Sequence, residues 1–314
     1  MDRPSANSRY PIPARLNLLI VGVQLLAAMA IFIGAALATS WWQVGVLALG
    51  FAVVGNSIYA IIHEAEHGLL HPNKTVNAIV GMLMALLFPA PFHLIRQGHI
   101  GHHLRNRSDD EAFDLYFDGD SRFLSWLQLY GILTGLYYWT VVASNVAVLL
   151  TPWVFTGRAV RFDRSSAALM ESLNPRYWTL IRLEAVAAIA LHVGIVVGLG
   201  VPVLYYLAIY CGFGFSWSAM QYVHHFATER DVIDGTRNLR LWGPIDCIWL
   251  NHNQHLAHHR HPTVPWVYLP DLDRDASPEM PVPEALLLHY FRMWRGPRYS
   301  DEHVENRHAG RIIR

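Results

Sequence analysis

The stretch WWQVGVLALGFAVVGNSIYAIIHEAEH, residues 41–67, joins an apolar run to two closely spaced histidines. Its part from Trp41 to Ile62 carries no charge and has the length that a membrane-spanning helix needs, roughly 20 apolar residues. The tryptophans at its start are typical of the membrane interface. Because residues four apart share one face of a helix, His63 and His67 can point at the same ion at the end of this span.

Three more apolar runs complete two predicted transmembrane hairpins, at about residues 16–62 and 183–223. The predicted runs are Leu16–Ala38, Trp41–Ile62, Ala185 to about Gly200, and Val201–Val223. The second hairpin leads directly into His224 and His225, as the first leads into His63. Both hairpins are therefore predicted to deliver histidines at their returning ends.

The composition of the 314-residue chain also indicates a bilayer. Hydrophobic residues make up 53% and charged residues 15%, which is far more apolar than an average soluble domain. Lysine plus arginine equals aspartate plus glutamate, at 24 each, so the chain has no net basic field that would bind nucleic acid. Cys211 and Cys247 lie far apart and form no CxxC motif, which excludes a disulfide framework and a thiolate metal cage.

Arginines predict which side of the membrane the histidines face. The far turns of both hairpins carry no cationic residue, whereas arginines are frequent in the other connecting segments. The positive-inside rule then places both termini and every histidine group in the cytoplasm. A multi-pass protein of this kind would lie in the cell inner membrane if its source is bacterial.

Two further apolar segments do not fit a simple crossing. The segment Val76–Ile95 is broken by two prolines, and a full crossing would separate His99 from His67. It is therefore interpreted as an interfacial or re-entrant segment that is covered by protein. Phe123–Phe155 must likewise cross the membrane zero times or twice, because the histidine groups before and after it must lie on the same side.

These observations predict an all-α, multi-pass integral membrane helical bundle with about four spans and additional interfacial helices. The chain is interpreted as one domain, 1–314, and its composition turns polar and rich in proline from Ala227 onward. The predicted parts are the first hairpin at 16–62, a segment with two histidine groups at 63–182, the second hairpin at 183–223, and a cytoplasmic histidine-rich cap at 224–314.

The chain has 18 histidines, and most of them are grouped. Two groups have the pattern HxxHH, in which the first and fourth residues share a helix face and the fifth is rotated away from it. Imidazole binds iron, zinc, copper or nickel, and the grouped imidazoles exceed the coordination number of one ion. The pattern predicts two neighbouring ions, and spacing alone does not choose the metal. The grouped candidates are His63, His67, His99, His102, His103, His255, His258 and His259.

Three groups in this order resemble the histidine boxes of the membrane fatty acid desaturase and hydroxylase superfamily. Gly68, Asn77 and Gly81 match the HG...N...G stretch that follows its first box. Residues 258–270 match its HHxxPxxPxxxLP segment. The resemblance covers nearly the whole chain and implies a non-haem di-iron centre that is held by the boxes.

The resemblance also implies one more histidine ligand after the last span. His225 corresponds to it, although Gln221 stands one turn before it where the family often has Asn, and His224 is a competing neighbour. Further candidates, as additional ligands or as hydrogen-bond partners of the ligands, are His224, Gln221, His71, His252, Glu64 and Asp110. No catalytic residue beyond the metal ligands is predicted.

For function, the resemblance implies an O2-dependent oxidoreductase with two iron ions as cofactors. A fatty acid (fatty-acyl) desaturase is the favoured interpretation. A lipid hydroxylase, a 1-alkene-forming fatty acid decarboxylase and a carotenoid ketolase or hydroxylase would share the same metal cage. The implied partners are a lipid substrate from the bilayer and a separate electron donor of the ferredoxin, rubredoxin or cytochrome b5 type.

Two other classes of protein fit parts of the sequence. The residues from His63 to His67 also satisfy HExxH, the zinc protease motif, in which Glu64 would be the general base. A divalent-metal transporter would combine spans with histidines, but transporters place their ligands near the bilayer midplane. A protease is disfavoured because it would leave two HxxHH groups without a role. A transporter is disfavoured because the histidines follow the ends of the predicted spans.

Overall fold

The computed structural model describes residues 9–156, 158–275, 283–306, 308 and 312. These residues are mostly helical. The α-helices are α1 (Ala14–Leu37), α2 (Trp41–Glu66), α3 (Lys74–Leu87), α4 (Phe92–Arg105), α5 (Arg122–Thr134), α6 (Leu136–Leu150), α7 (Arg164–Glu171), α8 (Trp178–Val193), α9 (Val203–Val223), α10 (Gly243–Ile248), α11 (His255–Arg260), α12 (Leu269–Asp275) and α13 (Leu286–Met293). The short strands are β1 (Leu115–Tyr116), β2 (Leu239–Arg240), β3 (Glu284–Ala285) and β4 (Arg298–Tyr299).

Four stretches of the described helices are long and apolar enough to cross a membrane: α1, α2, Pro175–Gly198 and α9. Their surfaces carry exposed apolar side chains, such as Leu49 at 72% and Val197 at 75% exposure. Such surfaces are stable against lipid rather than water. The prediction of an all-α, multi-pass integral membrane bundle with four spans is confirmed. The two ends of the chain lie outside the described residues.

The first hairpin turns tightly between α1 and α2. Gln43 Oε1 accepts the backbone N–H groups of Thr39 and Ser40 at 2.8 and 3.1 Å. Such a capping box satisfies amide groups that a helix N-terminus leaves free. Helix α2 continues past the predicted end at Ile62, so the helix itself positions His63.

The second hairpin begins earlier than predicted. Helix α8 starts at Trp178, whereas the predicted run starts at Ala185 and leaves out the charged residues Arg182 and Glu184. In the structure Arg182 Nε donates to the carbonyl oxygen of Val148 at 3.2 Å, and Glu184 accepts the N–H of His93 at 3.0 Å. Because both charges have partners on neighbouring helices, they remain inside the helix.

Helices α2 and α9 form the centre of the bundle. Gly55 of α2 lies so close to Phe213 of α9 that a Cβ at this position would be 2.5 Å from the phenyl ring. Phe51 is fully buried, and its ring centroid lies 5.6 Å from that of Phe213 and 5.0 Å from that of Tyr210. This tight contact fixes the distance between the helix ends that carry His63 and His225.

Helices α3 and α4 meet at an angle of 100° at the two prolines. Side chains of other helices hydrogen-bond to carbonyl oxygens at the bend, as a buried backbone at membrane depth requires. The pairs are His192 Nε2 with Leu86 at 2.7 Å, the Tyr210 hydroxyl with Leu87 at 3.0 Å, and Asn145 Nδ2 with Pro89 at 2.7 Å. Since His67 and His99 lie together on either side of this segment, it returns to the side that it left, in agreement with the re-entrant interpretation.

Helices α5 and α6 form a second bent pair, with an angle of 95° at Gly135. Gly135 has φ +90°, and a Cβ there would lie 3.0 Å from the Phe215 backbone of α9. The corner therefore requires glycine, both for its conformation and for the close approach.

The last third of the chain packs over the ends of the helices. Strand β1 pairs with β4, and β2 pairs with β3, both in parallel. Asp109 accepts the N–H of Val304 at 2.8 Å and pairs with Arg230 at 2.5 Å. These contacts hold the C-terminal arm beside the histidine boxes. The division of the chain into domains stays a prediction.

Candidate metal centre

Four segments bring the nine predicted histidine ligands together: the end of α2, helix α4, the turn after α9, and helix α11. Their ring nitrogens form two groups, and within each group the ligand atoms lie within 4.8 Å of one another. The five-histidine group consists of His63, His67, His99, His103 and His258, and the four-histidine group consists of His102, His225, His255 and His259. That these residues bind metal stays a prediction.

In the five-histidine group the Nε2 atoms converge. His67 and His99 are 2.7 Å apart, His99 and His103 are 3.2 Å apart, and His103 and His258 are 3.0 Å apart. Two nitrogens that bind one ion at about 2.1 Å are about 3.0 Å apart at right angles and about 3.4 Å apart in a tetrahedron. The observed spacing therefore fits an ion with more than four ligands.

The four-histidine group is centred on the turn after α9. The Nε2 atoms of His225 and His255 are 3.0 Å apart, and the ring centroids of His102 and His225 are 4.7 Å apart. His224 lies outside the group, with Nδ1 at 3.1 Å from the Arg237 carbonyl oxygen. Of the two neighbours, only His225 is grouped with the boxes.

The two groups adjoin each other. The ring centroids of His103 and His259, which belong to different groups, are 4.3 Å apart. His102 and His103 also fall in different groups, as do His258 and His259. This is the arrangement that the HxxHH spacing predicts, because the last two imidazoles of each box point in different directions from one helix.

The chemistry of these donors fits a pair of transition-metal ions. Among the described residues, His63 Nε2 and His259 Nε2 are buried without a hydrogen-bond partner. An unsatisfied buried polar group costs about 1–3 kcal/mol, which a bound ion would offset. Burial lowers the pKa of His67 to about 3 and holds the pKa values of His258 and His259 well below their usual range. The rings are therefore neutral at pH 7, with lone pairs free for a metal.

A carboxylate orients one of the imidazoles. Glu111 Oε1 lies 2.8 Å from His102 Nδ1, and Glu111 Oε2 lies 3.4 Å from Arg105 Nε. A carboxylate that accepts the Nδ1 proton leaves Nε2 as the free donor, which directs it to the metal. The acidic run Asp109-Asp110-Glu111, with Asp114, was the predicted source of such a carboxylate, and within it Asp110 instead accepts a hydrogen bond from Asn306 at 3.2 Å.

A buried ion pair that the sequence patterns did not predict supports the loop after His225. Arg107 pairs with Asp114, and both hydrogen-bond to the hydroxyl of Tyr222. Asp114 Oδ2 also accepts the N–H of Ala227 at 2.8 Å, and Arg107 donates to the Thr228 carbonyl oxygen at 3.0 Å. The only sequence signal was the position of Arg107 and Asp114 just after the second box.

Four other candidates lie outside both groups. Glu64 Oε2 accepts the N–H of Trp266 at 3.3 Å, and Gln221 Nε2 donates to the Trp217 carbonyl oxygen at 3.1 Å. His71 Nδ1 accepts the N–H of Asn73 at 3.0 Å, a turn-capping role. The remaining one, His252, packs its ring 4.9 Å from that of His63 without joining the group.

Five histidines outside the sequence groups are not predicted as ligands, and their exclusion stays a prediction. His192 Nε2 lies 2.7 Å from Leu86 O and its Nδ1 lies 2.7 Å from the Tyr206 hydroxyl, as expected for a hydrogen-bonded core residue. His93 pairs with Glu184 at 2.6 Å. Neither belongs to a metal-binding group among the described residues. The remaining three are His289, His303 and His308.

The geometry disfavours the two other classes of protein. A zinc protease needs Glu64 beside the metal, yet its carboxylate is engaged with the Trp266 backbone. A transporter needs ligands at mid-membrane, whereas His63 and His67 lie at the end of α2, and His255, His258 and His259 lie beyond the last span.

Known proteins resemble this chain over most of its length. Residues 39–291 match the sequence profile of the family described as Fatty acid desaturase. The chain is 26% identical to a sphingolipid delta(4)-desaturase of Drosophila melanogaster over 253 residues, which cover 79% of this chain and 70% of the relative. It is 25% identical to a sphingolipid delta(4)-desaturase/C4-monooxygenase of Homo sapiens over 273 residues, which cover 84% and 75%. Since the family profile spans most of the sequence, the chain belongs to the fatty acid desaturase family.

Proposed function

We propose that this protein is an O2-dependent oxidoreductase that desaturates an alkyl chain of a membrane lipid, with two iron ions held by nine histidines. The observation that carries the proposal is the convergence of buried imidazoles in two adjoining groups, in a chain of the fatty acid desaturase family. The relatives are named as enzymes of sphingolipids, and one of them also as a C4-monooxygenase. A fatty-acyl or related long-chain lipid is therefore the proposed substrate.

Iron is preferred to zinc for a chemical reason. Removal of hydrogen from an unactivated C–H bond with O2 requires a redox-active metal, which zinc is not. When bound, iron would supply the activation of O2. The residues that would hold it are the five-histidine group for one ion and the four-histidine group for the other.

Other residues of the chain orient the imidazole rings that would bind the metal. His102 Nδ1 donates its proton to Glu111, and His225 Nδ1 lies 3.3 Å from the Gly235 carbonyl oxygen. Both contacts fix the ring and leave Nε2 unprotonated towards the metal.

The chain also excludes water beneath the cluster. The Tyr59 ring lies 5.2 Å from that of Trp217, and Tyr137 stacks on Trp217 at 5.6 Å. His252 then packs against Tyr59 at 5.9 Å. Tyr59 and Trp217 are buried, and His252 connects them to the ring of His63, so an alkyl chain that arrives beside them would meet the cluster in a dry environment.

The balance of the proposed reaction requires a second protein. Desaturation breaks two C–H bonds and forms one C=C bond, and the two hydrogens, with two electrons and two protons, reduce O2 to two water molecules. The electrons would come from a separate donor of the ferredoxin, rubredoxin or cytochrome b5 type. Hydroxylation would use the same site and leave one oxygen atom in the product.

The membrane orientation follows from charge. Arginines are concentrated in the segments that adjoin the histidine boxes, such as Arg96, Arg105 and Arg107. The positive-inside rule therefore supports a cytoplasmic position for the cluster and for both termini, where soluble electron donors are available.

The test is to compare lipids from cells that express the protein with lipids from cells that carry an empty vector. Mass spectrometry should find a product that is lighter by two hydrogens and that forms only in the presence of O2. His103→Ala should abolish the product, since this residue belongs to the five-histidine group. His261→Ala, at an exposed position outside both groups, is the matched control and should retain it.

A product that carries one additional oxygen would indicate hydroxylation instead. An unchanged lipid profile, together with purified protein that contains no iron, would contradict the proposal.

A further inference from the structure

We propose that the segment Leu241–Leu250, which contains α10, and the exposed face of α13 are inserted into the lipid leaflet next to the histidine cluster. Both belong to the part of the chain that the sequence predicts as a cytoplasmic cap. The inference goes beyond the proposed reaction and does not depend on it, because it rests on packing contacts within the bundle and on exposed apolar side chains. The lipid-facing surface is defined by the exposed residues Trp242, Pro244, Ile248, Leu287, Leu288, Phe291 and Trp294.

Positions along helix α2 show how deep a contacting segment lies in the membrane. The hydrocarbon core is about 30 Å thick and a helix rises about 1.5 Å per residue, so a span needs about 20 residues. The aromatic side chain of Trp42 favours the membrane interface on the side away from the histidine cluster. The boundary of the hydrocarbon core on the cluster side then lies close to Ile62. Ser57 then lies about 8 Å inside that boundary, and Val53 about 13 Å inside it.

The segment with α10 contacts α2 at these depths. The Ser57 hydroxyl donates to the Ile248 carbonyl oxygen at 2.6 Å, and Trp249 Nε1 donates to the Val53 carbonyl oxygen at 3.1 Å. A segment that lies on top of the membrane could not reach either atom. The chain therefore descends into the leaflet before it returns to His255.

Helix α13 contacts α9 at a similar depth. The ring centroid of Tyr290 lies 6.3 Å from that of Phe215, which precedes the end of α9 at Val223 by about 12 Å along the helix axis. The Tyr290 hydroxyl also donates to the Leu133 carbonyl oxygen at 3.4 Å. The contact with Phe215 places α13 beside the membrane-spanning helix α9, and the contact with Leu133 places it beside α5.

Strand pairing links the two elements. Leu239 of β2 is paired with Glu284 of β3, and Arg240 with Ala285, directly before α10 and α13 begin. The pairing brings together the residues that precede both helices, so we expect the exposed residues of α10 and α13 to face the same leaflet.

The exposed residues on this surface are large and apolar. Trp242 and Phe291 are each 67% exposed, and Leu287 is 60% exposed. Leu287, Phe291 and Trp294 follow one another at the helical spacing of four and three residues, so they share one face of α13. A face of this kind in water would be an aggregation hazard.

The backbone of the inserted segment is suited to low dielectric. Asp246 Oδ1 accepts the N–H of Leu241 at 3.3 Å, and the Asp246 carbonyl oxygen accepts the N–H of Asn251 at 2.8 Å. With the bond from Ser57 to Ile248, side chains and turns satisfy the groups that this irregular segment would otherwise present to lipid.

The occupant of this surface is the acyl region of the bilayer. Phe215 of α9 is itself 46% exposed on a membrane-spanning helix, so the surface continues the lipid-facing side of the bundle. Arg292 of α13 pairs with Glu284 of β3 at 2.9 Å.

The native cysteines offer a direct measurement. Cys211→Ser leaves exposed Cys247, in α10, as the sole cysteine of the chain. A nitroxide on Cys247, in full-length protein in phosphatidylcholine nanodiscs, reports collisions with O2, which concentrates in lipid, and with a water-soluble nickel chelate. Phe291→Cys in a background without both native cysteines provides the same report for α13.

Two reference positions calibrate the result in that background. Leu26→Cys lies on the exposed side of the span α1, and Asp301→Cys lies in the exposed polar C-terminal arm. The labels at positions 247 and 291 should have a ratio of O2 to nickel collisions close to that at position 26 and severalfold above that at position 301.

Two results would overturn the inference. A ratio at positions 247 and 291 equal to that at position 301 would mean that the surface lies in water. Labels that neither O2 nor nickel reaches would mean that a second copy or another protein covers it.

Discussion

At the scale of single residues, neighbouring histidines have different tasks. His258 belongs to the five-histidine group and His259 to the four-histidine group, although they are adjacent in α11. The two side chains leave the helix in different directions, so one short helix serves both proposed ions. Their orientation then depends on neighbours such as Glu111 rather than on the helix alone.

We expect His258→Ala and His259→Ala each to lower the bound iron from about two ions to about one per chain, because each removes a donor from one group only. Elemental analysis of protein purified in mild detergent measures this. The control His261→Ala changes an exposed histidine of the same segment and should keep both ions. Full metal content in either of the first two variants would contradict the assignment of ligands.

The Arg107–Asp114 pair yields a second prediction. Asp114→Asn leaves the guanidinium of Arg107, a residue that is 2% exposed, without its counter-charge, which costs about 3–5 kcal/mol. Tyr222→Phe keeps the ion pair and removes one hydroxyl, which costs about 1 kcal/mol. Thermal unfolding in detergent should rank the variants in this order. Equal stability of Asp114→Asn and the wild type would show that the pair is not needed.

At the scale of elements, the end of α2 is held by its packing against α3. Asn77 Nδ2 donates to the Ala65 carbonyl oxygen at 2.8 Å, and Asn77 Oδ1 accepts the N–H of Leu70 at 3.1 Å. Gly68, with φ +76°, lets the chain leave the helix directly after His67. The HG...N...G stretch therefore fixes the position of the first histidine box, His63 and His67.

Gly81 of α3 provides the test of this packing. A Cβ at Gly81 would lie 2.8 Å from Ala65 Cβ and from the Phe92 ring, so Gly81→Ala should destabilise the protein by about 1–3 kcal/mol. At Gly45 of α2, a Cβ would meet no described atom within 4 Å, so Gly45→Ala should be neutral or stabilising by up to about 1 kcal/mol. A lower melting temperature for Gly45→Ala than for Gly81→Ala would refute the close approach.

At the scale of the whole molecule, the proposed metal ions join four distant segments of the chain. An ion that binds the folded state and not the unfolded state stabilises it by about 4 kcal/mol when present at 1,000 times its Kd. Removal of iron by a chelator should therefore lower the melting temperature, and Fe(II) should restore it. An unchanged melting temperature in protein shown to have lost its metal would contradict a structural contribution of the ions.

The metal-free protein should lose stability in acid. Burial lowers the pKa of His252 to about 4, against about 6.5 for an unfolded chain, so below pH 6.5 the unfolded state binds a proton that the folded state does not. Stability then falls as the pH decreases, by about 1.4 kcal/mol at pH 5.5 for each such imidazole, and the loss levels off below pH 4. Denaturation at pH 7.5 and 5.5 measures this, and His252→Gln should reduce the difference. Greater stability at pH 5.5 would reverse the expected sign.

Some of this architecture could be predicted from the sequence. The spans, the turn at Gly200 and the bend at the prolines depend on hydropathy and on backbone chemistry of nearby residues, which a sequence displays directly. The spacing of the histidine boxes likewise displays which side chains share a helix face. These properties were determined by the sequence alone because they depend on residues that lie close together along the chain.

Only the tertiary structure decided the rest. It grouped His225 rather than His224 with the boxes, chose Glu111 rather than Asp110 as the partner of His102, and kept Arg182 and Glu184 inside α8. For Arg182 and Glu184 the energy of burying a charged group depends on partners that are far away in sequence. Glu111 is only nine residues from His102, but it reaches the imidazole only through the turn that follows α4. Local patterns do not contain these contacts, since they form when the helices pack.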